Sequence, residues 1–112
     1  MENTVLEKFH QGRQSLGTFS AIGSPLAVES LRYTGLDYVI VDTEHSPAGI
    51  ESAAAQIAAA QGAGLTALAR ANEISRTAVL RLLDVGAQGV VVPCVETVEE
   101  VRELVRYAKF AP

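Results

Sequence analysis

Four short apolar runs, each followed by a segment carrying helix-start signals, constrain this chain more than any other feature. The runs are Leu16–Ile22, Tyr38–Val41, Leu65–Ala69 and Gly89–Val92. Runs of this length, rich in Val, Ile and Ala and lacking polar alternation, read as strands of a parallel sheet. Ser24-Pro25 announces a helix through about Thr34, with Gly35 as its breaker. An alanine-dense segment over Gly49–Gln61 reads as a second helix, which small side chains let approach a sheet closely, and Gly62 and Gly64 end it. Val79, Leu82 and Leu83 recur at helical spacing before Gly86. Thr97-Val98-Glu99-Glu100 is a capping box opening a last helix, whose Val98, Val101, Leu104, Val105 and Ala108 form a stripe expected to face the core. Ahead of the first strand, Thr4-Val5-Leu6-Glu7 reads as a capping box for a short leading helix over about 4–11, stopped by Gly12.

The organisation is therefore βα repeated four times within a single domain. Two architectures accommodate it: a small open sheet, or part of a (β/α)8 barrel, which needs about 250 residues when complete. As half a barrel, the chain is expected to leave its first and fourth strands as exposed edges, with Val90-Val91-Val92 an adhesive one.

Composition removes several function classes. A formal charge of −4 with nine scattered Lys and Arg provides no basic footprint for nucleic acid. No apolar stretch approaches the ~20 residues that cross a bilayer, and a cytoplasmic protein with no membrane partner is expected. A single cysteine, Cys94, makes no internal disulfide and no Cys-rich zinc site; it reads as a small packing residue. Dinucleotide binding lacks its glycine fingerprint after the first strand.

Ligands of parallel α/β sheets bind at the C-terminal strand ends. There the second run breaks into Asp42-Thr43-Glu44-His45-Ser46-Pro47, with Ser46 able to cap and Pro47 to open the next helix. Asp42 and Glu44 point to one side if the backbone stays extended. Arg70 follows the third run, and the first carries Phe19. A guanidinium beside an imidazole that titrates near neutrality suits a small anionic substrate whose charge changes during reaction. The bland reading is capping, a structural histidine, and an ion pair of Arg70 with Glu44 or Asp42. The only lysines, Lys8 and Lys109, fall on helices, so a Schiff-base mechanism has no obvious nucleophile in these residues.

Leu36–His45, Ala69-Arg70, Leu83–Gly89 and Val92-Pro93 followed by Glu96-Thr97, in this order and spacing, resemble the HpcH/HpaI family of metal-dependent class II pyruvate aldolases. The resemblance runs from about Gly17 to the C-terminus. It implies a TIM (β/α)8 barrel of which residues 1–112 supply the N-terminal half, and a carbon–carbon lyase that reversibly cleaves a 4-hydroxy-2-oxo acid to pyruvate and an aldehyde. It also implies His45 as general base on the substrate hydroxyl, Arg70 on the 2-oxo oxygen and enolate, and Asp84 raising the basicity of the histidine. Asp42, Glu44 and Phe19 would bind substrate or orient the other groups. A divalent metal (Mg2+, Mn2+ or Co2+) would be held by ligands beyond Pro112, so the 112 residues alone are expected to be inactive, and a homo-oligomer is expected. The topology above sets Asp84 late in a helix, away from His45, which leaves a structural cap or a contact with a neighbouring subunit open. The alternative to an enzyme is a non-catalytic half-barrel or small α/β module that self-associates or binds a carboxylate.

Overall fold

The computed structural model describes residues 2–43 and 49–109. It contains α1 (Thr4–His10), β1 (Gly17–Ser20), α2 (Pro25–Ser30) running into a 3₁₀ turn over Leu31–Tyr33, β2 (Tyr38–Asp42) and α3 (Ile50–Gly62). These are followed by β3 (Thr66–Arg70), α4 (Arg76–Asp84), β4 (Gly89–Val91) and α5 (Val98–Ala108). The four strands form one parallel sheet in the order β1-β2-β3-β4. Sequential parallel pairing through helical crossovers is the arrangement that repeated βα units produce.

Period-two alternation divides the sheet into two unlike faces. Val39 and Val41 of β2, Ala67 and Ala69 of β3, and Ala71 just beyond are fully buried against Ala53, Ile57 and Ala60 of α3. Alanine on both sides lets helix and sheet approach closely. One polar crossing joins them: the Ser20 hydroxyl lies 2.9 Å from Oε1 of the fully buried Gln56. The opposite face carries Phe19, Ile40 and Leu68, which share one register level, and no helix packs over its middle. Phe19 remains 50% exposed. The continuous apolar runs suggested burial on both faces, and the described residues cover only one.

At the N-terminal end of the sheet, α1 lies across that second face. The Thr4 backbone N–H donates to Thr66 Oγ1 at 2.9 Å, Asn3 Nδ2 donates to the Gln88 carbonyl, and Gln88 Nε2 donates to the Glu2 carbonyl. Lys8 Nζ bridges both carboxylate oxygens of Asp37 at 2.8 and 2.9 Å. The helix is capped by Asn3, whose side chain accepts from the Leu6 N–H, and not by Thr4. Thr4 is already helical, and its N–H is committed to Thr66.

Other boundaries moved by a residue or two, the usual fraying of element ends. The first strand is shorter than Leu16–Ile22, and Arg70 belongs to the third. Ser75 and the Thr97–Glu100 capping box open α4 and α5. The cap of α3 is Gly49, with no side-chain bond, while Ser46 and Pro47 lie outside the described residues. The α5 stripe departs from expectation: none of its residues is buried, Val98, Val101 and Val105 are exposed, and Val101 and Val105 line a cleft with Val90 and Val92.

Two stability measurements test this account. A Cβ at Gly17 would collide with the ring of Tyr38, its register partner. Gly17→Ala should therefore cost about 1–3 kcal/mol in denaturant unfolding, the usual range for overpacking; a neutral result would contradict the close approach. The Lys8 ammonium, and next the Leu16 backbone N–H, hold the Asp37 carboxyl below its ordinary range. A depressed carboxylate stabilises the fold above its unfolded-state value and loses that contribution as pH falls through the folded one. Asp37→Asn should cost roughly 1 kcal/mol at neutral pH, and the gap from wild type should close below about pH 4.

Candidate active site

The β2–β3 register sets Asp42 directly opposite Arg70 at the C-terminal end of both strands. Side chains at paired positions share a face, so the two meet on the face not covered by helices. Their contact is bidentate: Arg70 Nε donates to Asp42 Oδ1 at 3.1 Å and Nη2 to Oδ2 at 2.6 Å. The Asp42 side chain is 3% exposed and that of Arg70 is 21% exposed, so the carboxylate is sealed in and the guanidinium side chain is largely buried beside it. The fork geometry fixes the guanidinium plane as well as its position.

Phe19 of β1 adds a third constraint. Its ring centroid is 4.8 Å from Arg70 Cζ, within cation–π range. The Arg70 main chain is clamped too: the Thr43 N–H and hydroxyl both donate to its carbonyl, and the Ala71 N–H donates to the Val91 carbonyl at 2.8 Å. Thr43 was missed by the sequence reading. A β-branched residue bearing a hydroxyl just past a strand is common, and nothing local announces that its partner lies 27 residues away.

Three sequence-predicted site residues, Asp42, Arg70 and Phe19, therefore meet at one place. Glu44 and His45 lie outside the described residues. Asp84 is the last residue of α4, exposed, and α4 returns the chain to the start of β4. That is the N-terminal end of the sheet, opposite Arg70, so a role for Asp84 at the mouth would require it to come from another copy. Cys94 is not the packing residue that sequence suggested: it is exposed, at φ +59° in the turn after β4.

The donor set also bears on metal binding. Among the described residues, no three His, Cys, Asp or Glu side chains gather to hold a cation. The one buried carboxylate at the mouth, Asp42, already engages a guanidinium through both oxygens. The described residues supply no ligand set of their own for the divalent metal, whose ligands the resemblance sets beyond Pro112. What they form is a fixed cation at a strand-end mouth, suited to a carboxylate or an oxyanion.

Known proteins place this arrangement. A "Hydroxypyruvate/pyruvate aldolase" from Roseovarius nubinhibens is 33% identical over 110 residues, covering 98% of this chain and 43% of its own length. A "4-hydroxy-2-oxo-heptane-1,7-dioate aldolase" from Escherichia coli is 30% identical over 112 residues, again 43% of its length. Among solved structures, an HpcH/HpaI aldolase from Desulfitobacterium hafniense superposes with a TM-score of 0.87 at 36% identity, over 96% of this chain and 42% of that one. The citrate synthase SbnG superposes with a TM-score of 0.82 at 32% identity, over 88% and 40%. The chain spans less than half the length of these relatives, matching four βα units of a TIM-barrel fold. The HpcH/HpaI aldolase/citrate lyase family matches residues 15–112, and the chain belongs to it.

Proposed function

We propose that these residues form part of the site of an aldolase that reversibly cleaves a 4-hydroxy-2-oxo acid to pyruvate and an aldehyde. The observation that carries this reading is the Arg70 guanidinium, held in a fixed plane at the strand-end mouth by Asp42. Relatives named as aldolases of hydroxypyruvate, pyruvate and a 4-hydroxy-2-oxo dioate support the same substrate class.

In the cleavage direction a base removes the proton from the 4-hydroxyl. The C3–C4 bond breaks as the aldehyde carbonyl forms, and its electron pair delocalises through C3 onto the oxygen at C2. Arg70 would meet that developing enolate oxygen with its guanidinium plane set by Asp42. Protonation at C3 completes pyruvate. His45 is the proposed base, on the strength of the resemblance. A Schiff base is disfavoured within these residues, because Lys8 is bound to Asp37 at the far end of the sheet and Lys109 follows α5.

A divalent ion would have to be held by groups other than those described, and the activity assigned belongs to a complete barrel. Homo-oligomeric assembly is part of the same proposal.

The test is pyruvate release from a 4-hydroxy-2-oxo acid with Mn2+, by this chain joined to the C-terminal half of the Desulfitobacterium relative. Arg70→Ala should lower kcat by ~10²–10³, the loss typical of one oxyanion donor. It should also destabilise the fold by about 3 kcal/mol, because Asp42 would lose a partner while buried. Phe19→Leu should cost under about 1 kcal/mol, since its cation–π contact is partly exposed. Full turnover by Arg70→Ala, or cleavage that survives removal of all divalent ions, would overturn the reading.

A further inference from the structure

Arg70 is the last residue of β3, where the regular ladder that fixes a strand backbone gives out. On the β4 side the chain is still held, because the Ala71 N–H donates to the Val91 carbonyl at 2.8 Å. On the β2 side the final backbone bond, from the Thr43 N–H to the Arg70 carbonyl, spans 3.2 Å, the long end of the usual range. The Thr43 hydroxyl donates to the same oxygen at 2.5 Å, so both lone pairs of that carbonyl are used. This bond differs from those of the other described threonines whose hydroxyls donate. Thr18, Thr34 and Thr97 reach partners within three residues along the chain, and Thr43 reaches across 27.

We propose that Thr43 is a positioning residue for Arg70, its hydroxyl pinning the backbone from which the guanidinium is aimed. Two consecutive residues then hold one arginine at both ends: the Asp42 carboxylate grips the head and the Thr43 hydroxyl grips the root. Asp42 and Phe19 fix the plane of the head, and a root that drifts pulls that plane away from the place where an enolate oxygen forms. Catalytic groups have to be held within about 0.5 Å of the productive position. A β-branched side chain has few χ1 states, so the hydroxyl that does the pinning is itself well placed. Thr43 has this role only with Arg70 acting on the enolate as proposed above; it would stabilise the transition state without touching substrate.

The test uses this chain joined to the C-terminal half of the Desulfitobacterium relative, with Mn2+. Thr43→Val keeps the backbone N–H and the branched shape and removes the hydroxyl. It should lower kcat about tenfold, less than Arg70→Ala does, and move KM by less than about threefold. Without metal, the oxalate dissociation constant read from the Arg70 Nε–H resonance should rise by a similar factor. Thr43→Ser, which keeps the hydroxyl, should restore both, and Thr43→Ala, which cannot crowd the strand end, should repeat the loss. Because Thr43 acts through Arg70, adding Thr43→Val to Arg70→Ala should cost nothing further. An undiminished kcat in Thr43→Val and Thr43→Ala, a Thr43→Ser variant as slow as Thr43→Val, or a loss that persists on top of Arg70→Ala would each overturn the proposal. Full turnover by Arg70→Ala alone would overturn instead the aldolase reading beneath it.

Discussion

The parallel register between β2 and β3 is the constraint on which the site depends. It brings Asp42 level with Arg70 and turns both toward the same face. Once level, a buried carboxylate and a planar guanidinium have one geometry in which both oxygens are used, and the structure adopts it. The pair has a structural and a functional aspect at once. It neutralises a carboxylate sealed at the strand end, and it holds a cation in a fixed plane at the mouth, where little reorganisation would be needed to meet an anion.

The rest of the fold serves that register. Small residues on the helix-facing side of β2 and β3 let α3 press flat against the sheet, and Gln56 reaches Ser20 to tie in β1, which carries Phe19. α1 seals the N-terminal end of the second face, and among the described residues no helix packs over its C-terminal end. One end is built for closure and the other for access, the usual division of labour in parallel α/β folds.

Much of this was legible in the residues because its causes are local. Ser24 and Thr97 each begin a helix through a hydroxyl that accepts a backbone N–H, and sequence shows such caps directly. Asn3 supplanting Thr4 as the first cap was not legible, because it depends on Thr4 bonding Thr66 across 62 residues. Asp42 and Arg70 stood out as strand-end groups, but sequence left Glu44 and Asp42 as equal candidates for the ion pair. Register between strands 28 residues apart brings Asp42 to Arg70, while Glu44 lies outside the described residues. The α5 stripe shows the converse limit. Its periodicity was plain and its helix formed as expected, but periodicity reveals only that a face is apolar, not what covers it.

The claim that Arg70 is the anion-binding group at this mouth is tested most directly by NMR of the arginine Nε–H groups as oxalate, a planar mimic of the pyruvate enolate, is added. The account predicts a saturable shift of the Arg70 resonance, with the other arginines unmoved. An Arg70 signal that ignores oxalate while another group responds would contradict it.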